Sequence, residues 1–311
     1  MEKIAFIFPG QASQYVGMGK ELFNSYEESR TVFEKADQTL GFSISRLCFE
    51  GPAEEVQLTP NTQPAILTTS IAIWVLLRAS GVKPDYVAGH SLGEYSALVA
   101  VESLSFEHAV SLVRKRGQYM QEAVPVGEGS MAAIIALERP KVEKICQQVG
   151  EGVQLANYNS PVQIVISGTR EGVDKAVELS LQAGAKRATL LPVSAPFHSK
   201  LMLPAQEKLK VHIERTMFHP LLIPLVTNVD ARVIHTPQEA KDSLIRQVTS
   251  PVRWEDSMRH LIAQGVSTFV EVGPGKVLTN LIKRINKELK TFNIEDKETL
   301  NKFLNYYESL K

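Results

Sequence analysis

Ser91 sits where a serine hydroxyl can do chemistry. It is the centre of Gly89-His90-Ser91-Leu92-Gly93, after the apolar run Tyr86-Val87-Ala88 and before Glu94-Tyr95-Ser96-Ala97-Leu98-Val99-Ala100. Strand, G-x-S-x-G, helix is the order of a nucleophile elbow, a sharp turn that lifts one hydroxyl off the end of a strand. Its glycines serve strained backbone angles and close packing that a Cβ obstructs. The following helix aims unpaired N–H groups at the serine, where negative charge develops during acyl transfer. The bland alternative is a tight turn with a chance serine, and both flanks argue against it.

A hydroxyl is a weak nucleophile and needs a base, usually histidine. The chain has seven histidines. His90 adjoins the serine and should point away. His108, His212 and His260 lie in helical patterns and read as solvated; His219 and His235 stand near prolines in loops. His198 stands apart, after the strand-like run 188–193 and Ala195-Pro196-Phe197, and ahead of the helical run 201–211. A helix N-terminus keeps an imidazole neutral, as a base must be. Position alone leaves His198 one candidate among several.

A third residue type bears on the substrate. Phe106, Ala109, Val110, Val113, Gly117 and Met120 form the stripe of an amphipathic helix over 105–122. Arg116 lies at the edge of that stripe, and Arg114 is only slightly further round. A snorkelling surface arginine fits, and so does a guanidinium facing a cleft and gripping a carboxylate through two parallel hydrogen bonds.

The elements around these residues alternate strand and helix, which favours an α/β fold with a parallel sheet. Strand-like runs fall at 4–8, at Val87-Ala88 and at 268–272, and a helix is expected over 64–80. Gly273-Pro274-Gly275-Lys276 lacks the spacing and Ser/Thr of a phosphate loop and reads as a strand-to-helix turn. The middle differs. After a linker-like Pro125-Val126-Gly127-Glu128-Gly129 come strand 131–137, helix 140–149, strands 153–156 and 163–167, helix 171–183 and strand 188–193. That order predicts a ferredoxin-like subdomain over 125–197, inserted into a hydrolase-like parallel-sheet domain made of 1–124 and 198–311. A cleft between two such bodies is where ligands tend to bind.

Composition narrows the field. With 34 Lys+Arg against 34 Asp+Glu in 311 residues, nothing suggests nucleic acid or an anionic membrane as partner. No apolar stretch is long enough to span a bilayer, and 1–9 is too short for a signal peptide, so a cytoplasmic location is expected. Cys48 and Cys146 lack metal-ligand spacing and read as buried thiols, with no metal expected.

Several segments together resemble one family, the malonyl-CoA:acyl-carrier-protein transacylases of bacterial fatty-acid synthesis. They are Phe8-Pro9-Gly10-Gln11-Ala12-Ser13-Gln14, Gly89-His90-Ser91-Leu92-Gly93-Glu94, Arg114-Lys115-Arg116-Gly117, Asn157-Tyr158-Asn159-Ser160-Pro161, Pro196-Phe197-His198, Gln247-Val248-Thr249-Ser250-Pro251-Val252-Arg253-Trp254 and Glu271-Val272-Gly273-Pro274-Gly275. The one departure is Ala12, where glycine is usual; it is expected to leave the chemistry intact. The resemblance implies Ser91 as nucleophile and His198 as general base, in a dyad whose histidine donates to the backbone carbonyl of Gln247. It implies the N–H groups of Leu92 and Gln11 as oxyanion hole and Arg116 as the grip on the malonyl carboxylate. Met120, Phe197, Asn157 and Asn159 are the further substrate-binding candidates, with Phe197 filling the space of a methylmalonyl branch.

The activity so implied is ping-pong transfer of malonyl from malonyl-CoA to the phosphopantetheine thiol of acyl carrier protein. It needs no cofactor, the coenzyme A thioester being a substrate, and a monomer is expected. Carrier proteins of this class are acidic. After Gly275 a helix is expected to bury Val277, Leu278, Leu281, Ile282 and Ile285, exposing Lys283, Arg284, Lys287 and Lys290. With Lys186 and Arg187 these read as a docking face, or as an ordinary solvated one. Rivals lack parts. An α/β-hydrolase should carry a glycine run and a patatin-like lipase an Asp-Gly motif, and neither dipeptide occurs. A free-standing malonyltransferase of a polyketide synthase is not separated by these residues. A non-catalytic carrier-binding module would not need Ser91, His198 and Arg116 intact.

Overall fold

The computed structural model describes residues 2–125, 127–193 and 195–310. Five successive apolar residues, Ile4 to Phe8, form most of strand β1 (Lys3–Phe8) and are all buried. Such a run belongs at the middle of a sheet covered on both faces, because alternate side chains enter opposite layers. Ile4, Phe6 and Phe8 join the larger core with Trp74 and Phe303, while Ala5 and Ile7 face Trp254, Met258 and Phe269.

The remaining strands are β2 (Tyr86–Gly89), β3 (Gly129–Ile135), β4 (Val153–Ser160), β5 (Gln163–Thr169), β6 (Arg187–Leu190), β7 (Leu225–Val226), β8 (Val233–Ile234), β9 (Val266–Val272) and β10 (Lys290–Ile294). They make two sheets. One runs β10-β9-β1-β2-β7-β8, parallel except for the last pair. The other runs β4-β5-β3-β6 and is antiparallel throughout. Helices Arg139–Val149 and Arg170–Gln182 cover one of its faces, burying Ala132, Ile134, Val142, Ile166 and Val173. The alternate residues Met131, Ala133 and Val165 turn to the main core.

Several boundaries differ from expectation. The helix placed at 64–80 is Thr59–Ala79, one turn longer at its start. Pro60, not Pro64, takes the first-turn position where a missing N–H costs nothing. Helix Phe106–Glu122 crosses it closely at Gly117, where a Cβ would lie 2.7 Å from Pro60 Cα. β6 stops at Leu190 rather than continuing to 193. β4 outruns its expected end at 156 because its pairing with β5 continues to Ser160, and its second half also meets a new partner: Tyr158 N–H donates to Val252 O at 2.9 Å, and Val252 N–H to Ala156 O at 2.8 Å. The helix after Gly275 is Val277–Ile285, so Lys290 opens β10 instead, held by Tyr306 and Glu2. Val277, expected inward, is exposed. Of the linker and inserted segment, Val126 and Ser194 lie outside the described residues. Among the described residues no helix is long and apolar enough to cross a membrane.

Candidate active site

β2 ends at Gly89 and helix Gly93–Ala100 begins four residues on, so the chain reverses within Gly89–Gly93. Positive φ falls on Ser91 itself, at 51°, and not on the glycines. Their role is close approach. A Cβ on Gly89 would lie 1.9 Å from the Gly93 carbonyl carbon, and one on Gly93 would lie 2.0 Å from Phe8 O. Ser91 N–H is tied to Asn228 Oδ1 at 2.6 Å, and Asn228 Nδ2 to Gly89 O at 2.6 Å.

His198 meets the serine from another part of the chain. It stands at φ 57° just before the 3₁₀ turn Lys200–Met202, and it is buried. Its Nδ1 faces two carbonyl oxygens, Gln247 at 2.9 Å and Ser250 at 3.2 Å. Two acceptors there require the proton on Nδ1, leaving the Nε2 lone pair for Ser91 Oγ at 2.8 Å. Burial, and then the charge of Arg116, push its pKa down to about 3. These causes, rather than the helix end, keep the ring neutral.

The structure separates the two arginines. Arg114 is half-buried over the Phe42 ring and bonded to Asn61. Arg116 is 1% exposed. Its Nη2 donates to Ser91 Oγ at 3.1 Å and Gln247 Oε1 at 3.0 Å, and its Nη1 to Gln63 Oε1 at 2.9 Å. Met120, buried on the same helix, accepts from Gln63 Nε2 through Sδ at 3.8 Å. One serine oxygen therefore touches both the bare nitrogen of a neutral imidazole and a guanidinium.

A profile of the family described as acyl transferase domain matches residues 5–302. The malonyl CoA-acyl carrier protein transacylase of Bacillus subtilis is 53% identical over 303 residues, 96% of each chain. The chain belongs to the malonyl CoA-acyl carrier protein transacylases. A solved acyl carrier protein S-malonyltransferase from Vibrio cholerae is 44% identical, with TM-score 0.95 over 97% of this chain and all 100% of that one. A malonyl-transacylase solved with its type II PKS acyl-carrier protein is 41% identical, with TM-score 0.96 over 98% of this chain and 100% of that chain.

Some of the other expected site residues of this family member neighbour the elbow or the base, and the basic ones lie elsewhere. Leu92 leads into helix Gly93–Ala100, so its N–H is among the unpaired donors of a first turn. Gln11 follows Gly10, whose Cβ would lie 2.5 Å from His90 O, which sets that loop against the elbow. Phe197 is buried beside the base. His90 turns to Asn159 Oδ1 at 2.9 Å and packs on Trp254. Asn159 thus holds β4 to the elbow, and Asn157 bridges β4 to Val252 instead. Lys186, Arg187, Lys283 and Arg284 are exposed. Arg284 reaches Gln163 Oε1 at 2.6 Å, and Gln163 and Arg187 flank Ile135 from either side, so the basic residues share one end of the small sheet.

Four polar residues escaped the sequence reading: Gln63, Glu94, Asn228 and Ser250. Gln63 lay outside the expected helix. Asn228 carries no local signal, and Ser250 stands in the Gln247–Trp254 segment but acts through its backbone carbonyl, which side-chain type does not reveal. Glu94 had one, a lone charge in an otherwise apolar helix.

Proposed function

We propose that this chain transfers malonyl from malonyl-CoA to the phosphopantetheine thiol of acyl carrier protein through a malonyl ester on Ser91, supplying extender units for fatty-acid synthesis. The observation that carries this reading is the joint contact of His198 Nε2 and Arg116 Nη2 with Ser91 Oγ. His198 takes the Ser91 proton as Oγ attacks the thioester carbonyl. The oxyanion is received by the N–H groups of Leu92 and Gln11, each donor worth about a hundredfold or more in rate. Collapse expels the coenzyme A thiolate, which takes the proton from His198. The carrier thiol then gives its proton to His198, attacks the ester carbon and releases Ser91, reprotonated.

Arg116 supplies selectivity twice. Its fork holds the malonyl carboxylate, and an acetyl group leaves the buried charge unpaired, costing about 3–5 kcal/mol. Its charge also helps depress His198, so a carboxylate on Arg116 offsets that effect and makes the base stronger when the right acyl group is present. The order β4-β5-β3-β6 with two helices on one face supports a ferredoxin-like unit over 125–197. Lys186, Arg187, Lys283 and Arg284 form the carrier-protein docking face in this reading.

Incubation with malonyl-, acetyl- and methylmalonyl-CoA followed by intact-protein mass measurement tests the reading. Malonyl mass on Ser91, discharged by carrier protein, is the expected result; no adduct, or one that only water removes, would defeat it.

A further inference from the structure

Glu94 is 1% exposed, and the transfer steps above give it no part. Its carboxylate accepts from three donors: Asn228 N–H at 2.9 Å, Gln247 Nε2 at 3.0 Å and Ser243 Oγ at 2.8 Å. Following the donors outward shows what this arrangement controls. Asn228 spends Nδ2 on Gly89 O, which leaves its Oδ1 to accept the Ser91 N–H. Gln247 Nε2 then lies among three acceptors: Glu94 Oε2, Ser91 O at 3.1 Å and Asn228 Oδ1 at 3.4 Å. Its Oε1 must face the other way, into Arg116 Nη2. Ser91 O is a backbone carbonyl that can only accept, so this side admits only the N–H of the amide. Flipped, Gln247 would set N–H against the guanidinium N–H and oxygen against oxygen.

The partners of Arg116 in these bonds, Gln63, Ser91 and Gln247, are neutral, and the Glu94 carboxyl lies one amide away, where three donors and the charge of Arg116 oppose the burial that raises its pKa. A direct ion pair would neutralise the guanidinium and compete with a substrate carboxylate. Relayed through an amide, the carboxylate steadies Arg116 and leaves its capacity for an anion.

We propose that Glu94 is a positioning residue: through Gln247 it places the Arg116 guanidinium, and so sets the preference for a carboxylate-bearing acyl group over a neutral one. This rests on the transfer reading of the site. The test compares kcat/KM for malonyl-CoA and acetyl-CoA in the wild type and in Glu94→Gln, with carrier protein as acceptor. Wild-type protein that transfers no malonyl would defeat the transfer reading itself. With that transfer in hand, Glu94→Gln should lower the malonyl value about tenfold to a hundredfold and move the acetyl value less than about threefold. A general loosening of the site lowers both alike, and that result, or an unchanged preference, would overturn the proposal. If Glu94→Gln does not fold, Gln247→Leu is measured the same way, since it keeps the backbone carbonyl that faces His198 and removes only the amide. Retained malonyl preference in Gln247→Leu would equally overturn it.

Discussion

Ser91 and His198 both stand in the left-handed region of the backbone, at φ 51° and 57°, but their surroundings hold them there by different means. The serine's turn is clamped backbone against backbone, with Gly89 on Gly93 and Gly93 on Phe8 at distances no side chain tolerates. The histidine's turn is held by side chains from elsewhere. Gln154 Nε2 donates to His198 O at 3.2 Å and Thr249 O at 3.3 Å, and its Oε1 accepts the Lys200 N–H at 2.9 Å. A non-glycine residue at positive φ costs about 1–2 kcal/mol, so each turn needs such support. The difference teaches where rigidity resides: the nucleophile's turn is packed backbone on backbone with Asn228 tying it from outside, while the base's turn rests on polar contacts that a single substitution removes.

The largest effect should come from the clamp. Gly93→Ala sets a Cβ against a backbone oxygen that cannot step aside, and should lower stability by about 3 kcal/mol or more and abolish labelling of Ser91. Denaturant melts and malonyl loading measure both; a well-folded, active variant would break the contrast. Gln154→Ala at the other turn should cost only about 1 kcal/mol in stability. Its loading rate should fall about tenfold as His198 loses its place. Equal damage to stability in the two variants would erase the distinction.

The pH dependence sharpens it further. With His198 pushed down to about 3, the loading rate should be level from about pH 5 to 8, with no inflection near the imidazole's ordinary 6.5. The sign for stability follows. The unfolded chain binds a proton at this histidine below pH 6.5 and the folded one does not, so stability from this group is present above 6.5 and lost as pH falls toward 3. Rapid-mixing kinetics across pH and acid titration of the fold check the two halves. The smallest effect concerns a third left-handed residue, Ala12, at φ 80° in the loop after Gln11. Ala12→Gly should stabilise by about 1 kcal/mol with loading unchanged, as a small rise in Tm would show.

How much of this was legible depended on whether the information was local. The elbow is one contiguous turn, and strand, glycines and helix announced it together. The stripe of helix Phe106–Glu122 was equally plain. It did not separate Arg116 from Arg114, because both lie near its edge; Gln63 and Gln247, remote in sequence, make the difference. The ends of β4 and β6 were misplaced for the same reason. β4 runs on because β5 pairs with it as far as Ser160 and because Val252, nearly a hundred residues away, bridges its other edge; β6 is an edge strand with β3 alone to pair with. Ala12 looked like a harmless loop change until its φ showed why glycine is usual there.

The rung between β4 and Val252 has a mechanical consequence. A hinge needs a seam with few cross-links, and here β4 of the four-stranded sheet is also bridged to Val252. Swinging them apart would break the two backbone bonds at Val252, worth about 1 kcal/mol each. It would also part Arg139, on a helix that covers the four-stranded sheet, from Asp256, 3.1 Å away. These cross-links resist a wide swing of one sheet away from the other, so the elbow and the β4 sheet move together.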